Sequence, residues 1–355
     1  MEPLDLFGRL HTHGAGASGA SAAGSYSSQQ HAILMTTIAN PDATREVAGP
    51  KPSRDVTGFL GWMLSPDRRG PLLIAPAIAT LFIVNIFPLM WSFGLSFFEY
   101  KANRIAAPVF KGLNNYASVL TDPDIWERFQ HTATIVVGSV ALQLIVGFLL
   151  ALLFANDFPL RRYLLMLVLA PMMLSLSAVG VFFKLFYDPT LGFISRFISL
   201  FTSDTYVILS TPARATVAIV VADAWMWSPF VMLLVLAGLV SVPKYLYEAA
   251  EIDRAGWWRR FRTITFPYIR SLLLLALLFR TIETFKIFDV VYILTEGGPG
   301  SSTETVSVYV FRLAFQFFRT SLASALGYIM LFAVIVLTSL YLYAIQTRRA
   351  EPVNE

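Results

Sequence analysis

The placement of charge constrains this chain more than any motif does. It carries 27 Lys and Arg and 23 Asp and Glu in 355 residues. Spread evenly, those charges would leave no gap long enough to cross a bilayer. They are clustered instead. Residues 70–98, 132–156, 163–183, 224–243 and 320–347 contain no Asp, Glu, Lys or Arg, and 263–279 contains only Arg270. A membrane-spanning helix needs roughly 17–25 mainly apolar residues, so each run is long enough to span. The hydrophobic share of 56% and charged share of 14% compare with about 45–50% and about 25% in soluble chains. A soluble or wholly disordered protein is excluded. The absence of Cys removes disulfide frameworks, thiolate nucleophiles and Cys-based metal sites. A scattered net charge of +4 gives no basis for nucleic-acid binding.

The expected fold class is all-α: a polytopic membrane protein with six transmembrane helices at about 71–98, 133–155, 163–186, 215–240, 266–294 and 322–346. Short connections carry the basic residues: Arg68 and Arg69, Arg161 and Arg162, the 244–262 loop, and Arg348 and Arg349. The longer loops balance their charges. The positive-inside rule then puts both termini in the cytoplasm. Residues 1–65 differ in composition, with a Gly/Ala/Ser-rich stretch from Gly14 to Ser28 that reads as a disordered cytoplasmic tail. Its His11, His13 and His31 have no fixed geometry to make a metal site. Residues 66–347 form the membrane domain and 348–355 a short cytoplasmic tail.

One cytoplasmic segment stands above background: Glu248-Ala249-Ala250-Glu251-Ile252-Asp253-Arg254-Ala255-Gly256, continuing through Phe261 and Ile264 to Pro267. Glu248–Ile252 reads as a short helix. Asp253 is placed as the N-cap of a second helix reaching about Phe261, and Pro267 marks the start of the next span. Two adjacent alanines permit close approach to a partner groove. A basic loop lying on lipid headgroups fits the same residues equally well.

This segment resembles the EAA loop in membrane subunits of bacterial ABC importers. Other pieces agree in order: Gly112-Leu113-Asn114-Asn115-Tyr116 with Asp122-Pro123 and Trp126; Asp188-Pro189 with Gly192; Trp225, Pro229-Phe230 and Ala237-Gly238-Leu239; Phe288-Asp289 and Gly297-Gly298-Pro299 with Thr303. The resemblance covers about 70–346 and is closest to maltose-importer-type permeases. It implies a non-enzymatic subunit in the bacterial inner membrane that forms half of a pathway for a sugar-like solute. The implied partners are a second permease, a cytoplasmic ATPase dimer and a periplasmic solute-binding protein. ATP and Mg would sit on the ATPase, with no cofactor on this chain. The coupling residues carried over are Glu248, Ala249, Ala250, Asp253, Arg254 and Gly256. Arg254 departs from the family pattern, which has Gly there. It implies a turn built without Gly or a contact with a charged partner.

Ionisable groups at membrane depth are functional candidates by default. Here they are Asp223 in the fourth span, then Arg280, Glu283, Lys286 and Asp289 in the fifth. A structural network with Arg280–Glu283 and Lys286–Asp289 pairs is the competing reading. Positions matching the sugar contacts of maltose-type permeases are Asp223, Met226, Trp227, Phe230, Arg280, Glu283, Thr284, Ile287 and Asp289. The bulk of Trp227 suggests a mono- to disaccharide-sized pocket. Arg280 leaves room for an anionic group, whereas the nearby carboxylates favour a neutral sugar. An ion-coupled secondary transporter is the alternative class. A membrane enzyme is poorly supported, since His131 is the only His beyond the tail and has no cluster around it.

Overall fold

The structure, a computed structural model, describes residues 66–103, 107–201 and 207–349. The expected tail 1–65, with its three histidines, and residues 350–355 lie outside the described residues. The chain divides into Met1–Thr80 and Leu81–Glu355. Described residues of the first unit belong to helix α1 (Pro66–Leu81). The second opens with a π-turn at Phe82–Ile86 and helix α2 (Phe87–Ser96), then a two-stranded antiparallel ribbon, β1 (Phe98–Glu99) against β2 (Val109–Phe110). The remaining elements are helical.

Five helices among the described residues are long and apolar enough to cross a membrane, or six if one bent pair counts as a span. This agrees with the expected polytopic all-α architecture. After α3 (Asn114–Thr121), Asp122 starts α4 (Pro123–Phe154) by accepting the Asp124 amide at 3.0 Å. Pro123 fits the first turn because its missing N–H has no helical partner there anyway.

The third expected span is not one helix. Helix α5 (Arg161–Leu169) tightens into a 3₁₀ turn at Ala170–Met173, and α6 (Leu176–Phe186) restarts in a new direction. The two parts are bent by 102°. Pro171 cannot donate to the preceding turn. Leu174 is extended, and Ser175 caps the restart by accepting the Ala178 amide at 3.2 Å. Just beyond α6, Asp188 Oδ1 accepts from the Thr190 hydroxyl at 2.6 Å and from the amides of Thr190 and Leu191. These bonds, the Thr190 hydroxyl first, hold the Asp188 carboxyl below its ordinary pKa. Gly192 is required here: a Cβ would lie 2.4 Å from the carbonyl oxygens of Asp188 and Phe186. Helix α7 (Phe193–Ser199) follows.

Helix α8 (Pro212–Val240) crosses α4 closely. At Gly147 a Cβ would come within 2.6 Å of Val231 Cβ and 2.7 Å of the Ser228 carbonyl oxygen. Ala215, Ala218, Ala222 and Ala224 of α8 are buried, as expected where membrane helices approach through small residues. One core cluster joins Ile135 of α4, Val179 and Phe183 of α6 and Ile219 of α8. A second joins Ala151 and Phe154 to Val231, Met232 and Val235. On the other side of α4, Val137, Ile145, Leu149 and Leu153 form an exposed apolar stripe. A helix apolar on every side suits a membrane span, with lipid covering the face that protein does not.

The 244–267 segment folds as α9 (Lys244–Ile252) and α10 (Trp257–Arg260), which continues through a π-turn at Phe261–Thr265 into α11 (Phe266–Phe285). Pro267 therefore does not start the span, because the helical run begins at Trp257. The fifth span also ends earlier than expected. Lys286 and Phe288 leave helical geometry, and α12 (Asp289–Thr295) is a separate helix. Helix α13 (Val306–Phe311) and the long α14 (Thr320–Arg349) complete the described chain.

Candidate functional site: a buried polar cluster and an exposed turn

Three helices bring polar groups together at membrane depth. Asp223 of α8 and Arg280 of α11 are each 2% exposed. Arg280 stands 3.6 Å from Asp223 Oδ1. Gln143 of α4 lies between them, donating to Asp223 Oδ2 at 2.7 Å and accepting from Arg280 Nε at 2.8 Å. Arg280 also donates to the Thr284 hydroxyl at 3.0 Å, and its guanidinium lies 4.4 Å from the centroid of the Trp227 ring. Buried charge is tolerated only when it is paired and supported by further hydrogen bonds, and here Asp223 supplies the pairing while Gln143 and Thr284 add hydrogen bonds.

The pairing differs from the i,i+3 network considered from sequence. Arg280 pairs with Asp223 rather than Glu283. Glu283 is exposed and accepts from Lys286 at 3.1 Å. Asp289 accepts from Ser177 of α6 at 3.1 Å. The break after Phe285 takes Asp289 off the α11 helix, and Lys286 pairs with Glu283 in its place.

Among the other expected pocket residues, Met226, Thr284 and Ile287 are buried. Trp227 and Phe230 are half-buried, their rings 6.4 Å apart edge to face, and Phe230 also meets Phe279 at 6.4 Å. Sequence reading missed Gln143: a neutral residue inside an uncharged run gives no signal. A separate cleft of about 570 Å³ lies beside α4, α5 and α8, lined by apolar groups such as Val146, Leu167, Pro171 and Trp225. None of the expected pocket residues lines it.

The α9–α10 turn is built by hydrogen bonding. The Arg254 amide donates to the Glu251 carbonyl at 3.0 Å and the Ala255 amide to the Ala250 carbonyl at 2.8 Å. This pair of bonds is a Schellman stop, which requires a left-handed residue. Arg254 fills that position at φ 52°, so the turn forms without Gly. Asp253 is the C-cap of α9, not the N-cap of the next helix; Gly256 takes that place without a side-chain bond. Glu251 and Arg260 pair across the turn at 2.9 Å. Ala250 is buried, whereas Glu248, Ala249, Asp253, Arg254 and Gly256 are exposed. Ile252, Trp257 and Trp258 are exposed beside them.

The architecture and the order of these features define a class of inner-membrane transport subunit. A family model for the inner membrane component of binding-protein-dependent transport systems matches residues 143–351, and the chain belongs to that family. It is a multi-pass permease subunit and not an enzyme. The chain is 33% identical over 288 residues to the sulfoquinovosyl glycerol transport system permease protein SmoG of Agrobacterium fabrum, covering 81% of this chain and 94% of that relative. It is 34% identical over 283 residues to the trehalose/maltose transport system permease protein MalF of Thermococcus litoralis, covering 79% and 94%. A solved bacterial ABC transporter involved in import of the acidic polysaccharide alginate shares the fold, with a TM-score of 0.66, 23% identity, and coverage of 80% and 97%.

Proposed function

We propose that this chain supplies half of the translocation pathway for a sugar-like solute in an ATP-driven importer. A periplasmic binding protein delivers the solute, a second permease completes the pathway, and a cytoplasmic ATPase dimer binds ATP and Mg. Both termini face the cytoplasm. The observation that carries this reading is the α9–α10 turn, which presents Glu248 and Ala249 to solvent on a short helix held by its own backbone bonds. A preorganised turn loses little entropy on docking. Ala249 gives the close approach, and the exposed Ile252, Trp257 and Trp258 supply apolar contact around it. The buried Ala250 holds the turn together from within.

Glu283, Asp289, Trp227 and Phe230 face the solute, with Asp223, Met226, Arg280, Thr284 and Ile287 supporting them from behind. Carboxylates accept hydroxyl hydrogens, and an aromatic face stacks on the apolar side of a sugar ring. The test is uptake of labelled maltose or trehalose into proteoliposomes holding the whole complex with its binding protein. ATP-dependent uptake supports the reading. Uptake that follows an imposed proton gradient without ATP contradicts it.

A further inference from the structure

The buried cluster bears on the charge of the solute, a question that rests on the sugar-importer reading above. A guanidinium that recognises an oxyanion offers it parallel N–H groups. In this protein one such edge, Nε together with Nη2, is already engaged. Arg280 donates to Gln143 and Thr284 at 2.8 and 3.0 Å, lies 3.6 Å from Asp223, and covers the Trp227 ring at 4.4 Å. Gln143 is wholly buried and uses both ends of its amide, one on Asp223 and one on Arg280. It adds no charge of its own.

We propose that Gln143 is a positioning residue that holds Arg280, neutralised by Asp223, against Trp227, so that this half of the pathway selects uncharged sugars. The surrounding charges agree. Glu283 is paired with Lys286, and Asp289 accepts a neutral hydroxyl from Ser177. Across these five groups, the three carboxylates of Asp223, Glu283 and Asp289 face the two cations of Arg280 and Lys286. An anionic sugar would meet net negative charge in a partly dehydrated site, where repulsion is stronger than in water. A neutral sugar meets hydroxyl acceptors and an aromatic ring fixed from one side.

Equilibrium dialysis of the purified, assembled complex tests this, with labelled maltose and trehalose as neutral probes and sulfoquinovosyl glycerol as the anionic probe. The neutral probes should bind at least about tenfold more tightly. Asp223→Asn leaves Arg280 uncompensated and should narrow that ratio by about tenfold. Gln143→Met keeps the volume but not the hydrogen bonds and should narrow it several-fold. Equal binding of both probe classes by the unmodified complex overturns the proposal. So does an equal fall for both classes in the Asp223 and Gln143 variants, which is what mere loss of packing would give. If a variant does not assemble, the ratio in the unmodified complex decides. Failure of every sugar to bind sinks the sugar-importer reading itself, and is a distinct result.

Discussion

Gln143 and Asp223 lie eighty positions apart in the chain and meet at 2.7 Å inside the membrane domain. That contact ties α4 to α8, and through Arg280 it reaches α11 as well. The three helices share this polar joint, so a change at any member is felt by the others.

Removing Arg280 alone strands the Asp223 carboxylate in a site that is 2% exposed. Breaking a buried pair from one side costs about 3–5 kcal/mol. Arg280→Ala should therefore lower the thermal midpoint of the solubilised complex strongly. The Asp223→Ala, Arg280→Ala double variant should lose much less than the sum of the single changes. Additive losses would mean that the two groups are not energetically paired.

The α4–α8 crossing predicts a sharp contrast between glycines. Gly147→Ala would put its Cβ 2.6 Å from Val231 Cβ, and overpacking of this kind costs about 1–3 kcal/mol. Gly256→Ala meets nothing within 4 Å, so it should lose no more than the weaker N-cap preference of Ala, about 1 kcal/mol or less. Thermal unfolding of the two variants side by side measures the difference.

Arg254 occupies a left-handed position at φ 52°, a conformation that costs a residue with a Cβ about 1–2 kcal/mol. Arg254→Gly should raise stability modestly while keeping the turn, and Arg254→Val should lower it because a β-branched side chain fits that region poorly. Hydrogen exchange at the Ala255 amide, which donates to Ala250, reports the turn directly. Slower exchange in the Gly variant and faster exchange in the Val variant are the expected outcomes.

Much of the fold was legible because charge is costly in a bilayer: the long runs without charge mark the spans. Breaks were harder to see. Pro171 and Ser175 carry the signal for the bend in the third span, but an apolar run continues through them and masks it. At Arg280 the sequence shows only near neighbours such as Glu283, whereas the partner that folding supplies, Asp223, is on another helix. Gln143 is neutral, so nothing in the charge map marks it. The turn at Arg254 was obscured for the opposite reason: Gly is the usual signal for a Schellman stop, and here the backbone adopts that geometry without it.

If the exposed α9 turn transmits ATP-driven motion to this subunit, a charge reversal at Glu248 should break that transmission. Glu248 is exposed, so Glu248→Arg should leave the fold intact. In proteoliposomes holding the assembled complex, ATP hydrolysis and maltose or trehalose uptake are measured together. A reversed charge at a docking contact costs several kcal/mol, so sugar-stimulated hydrolysis and uptake should each fall by about tenfold or more. Full coupling retained in the Glu248→Arg complex would mean that the turn is not the handle the ATPase moves.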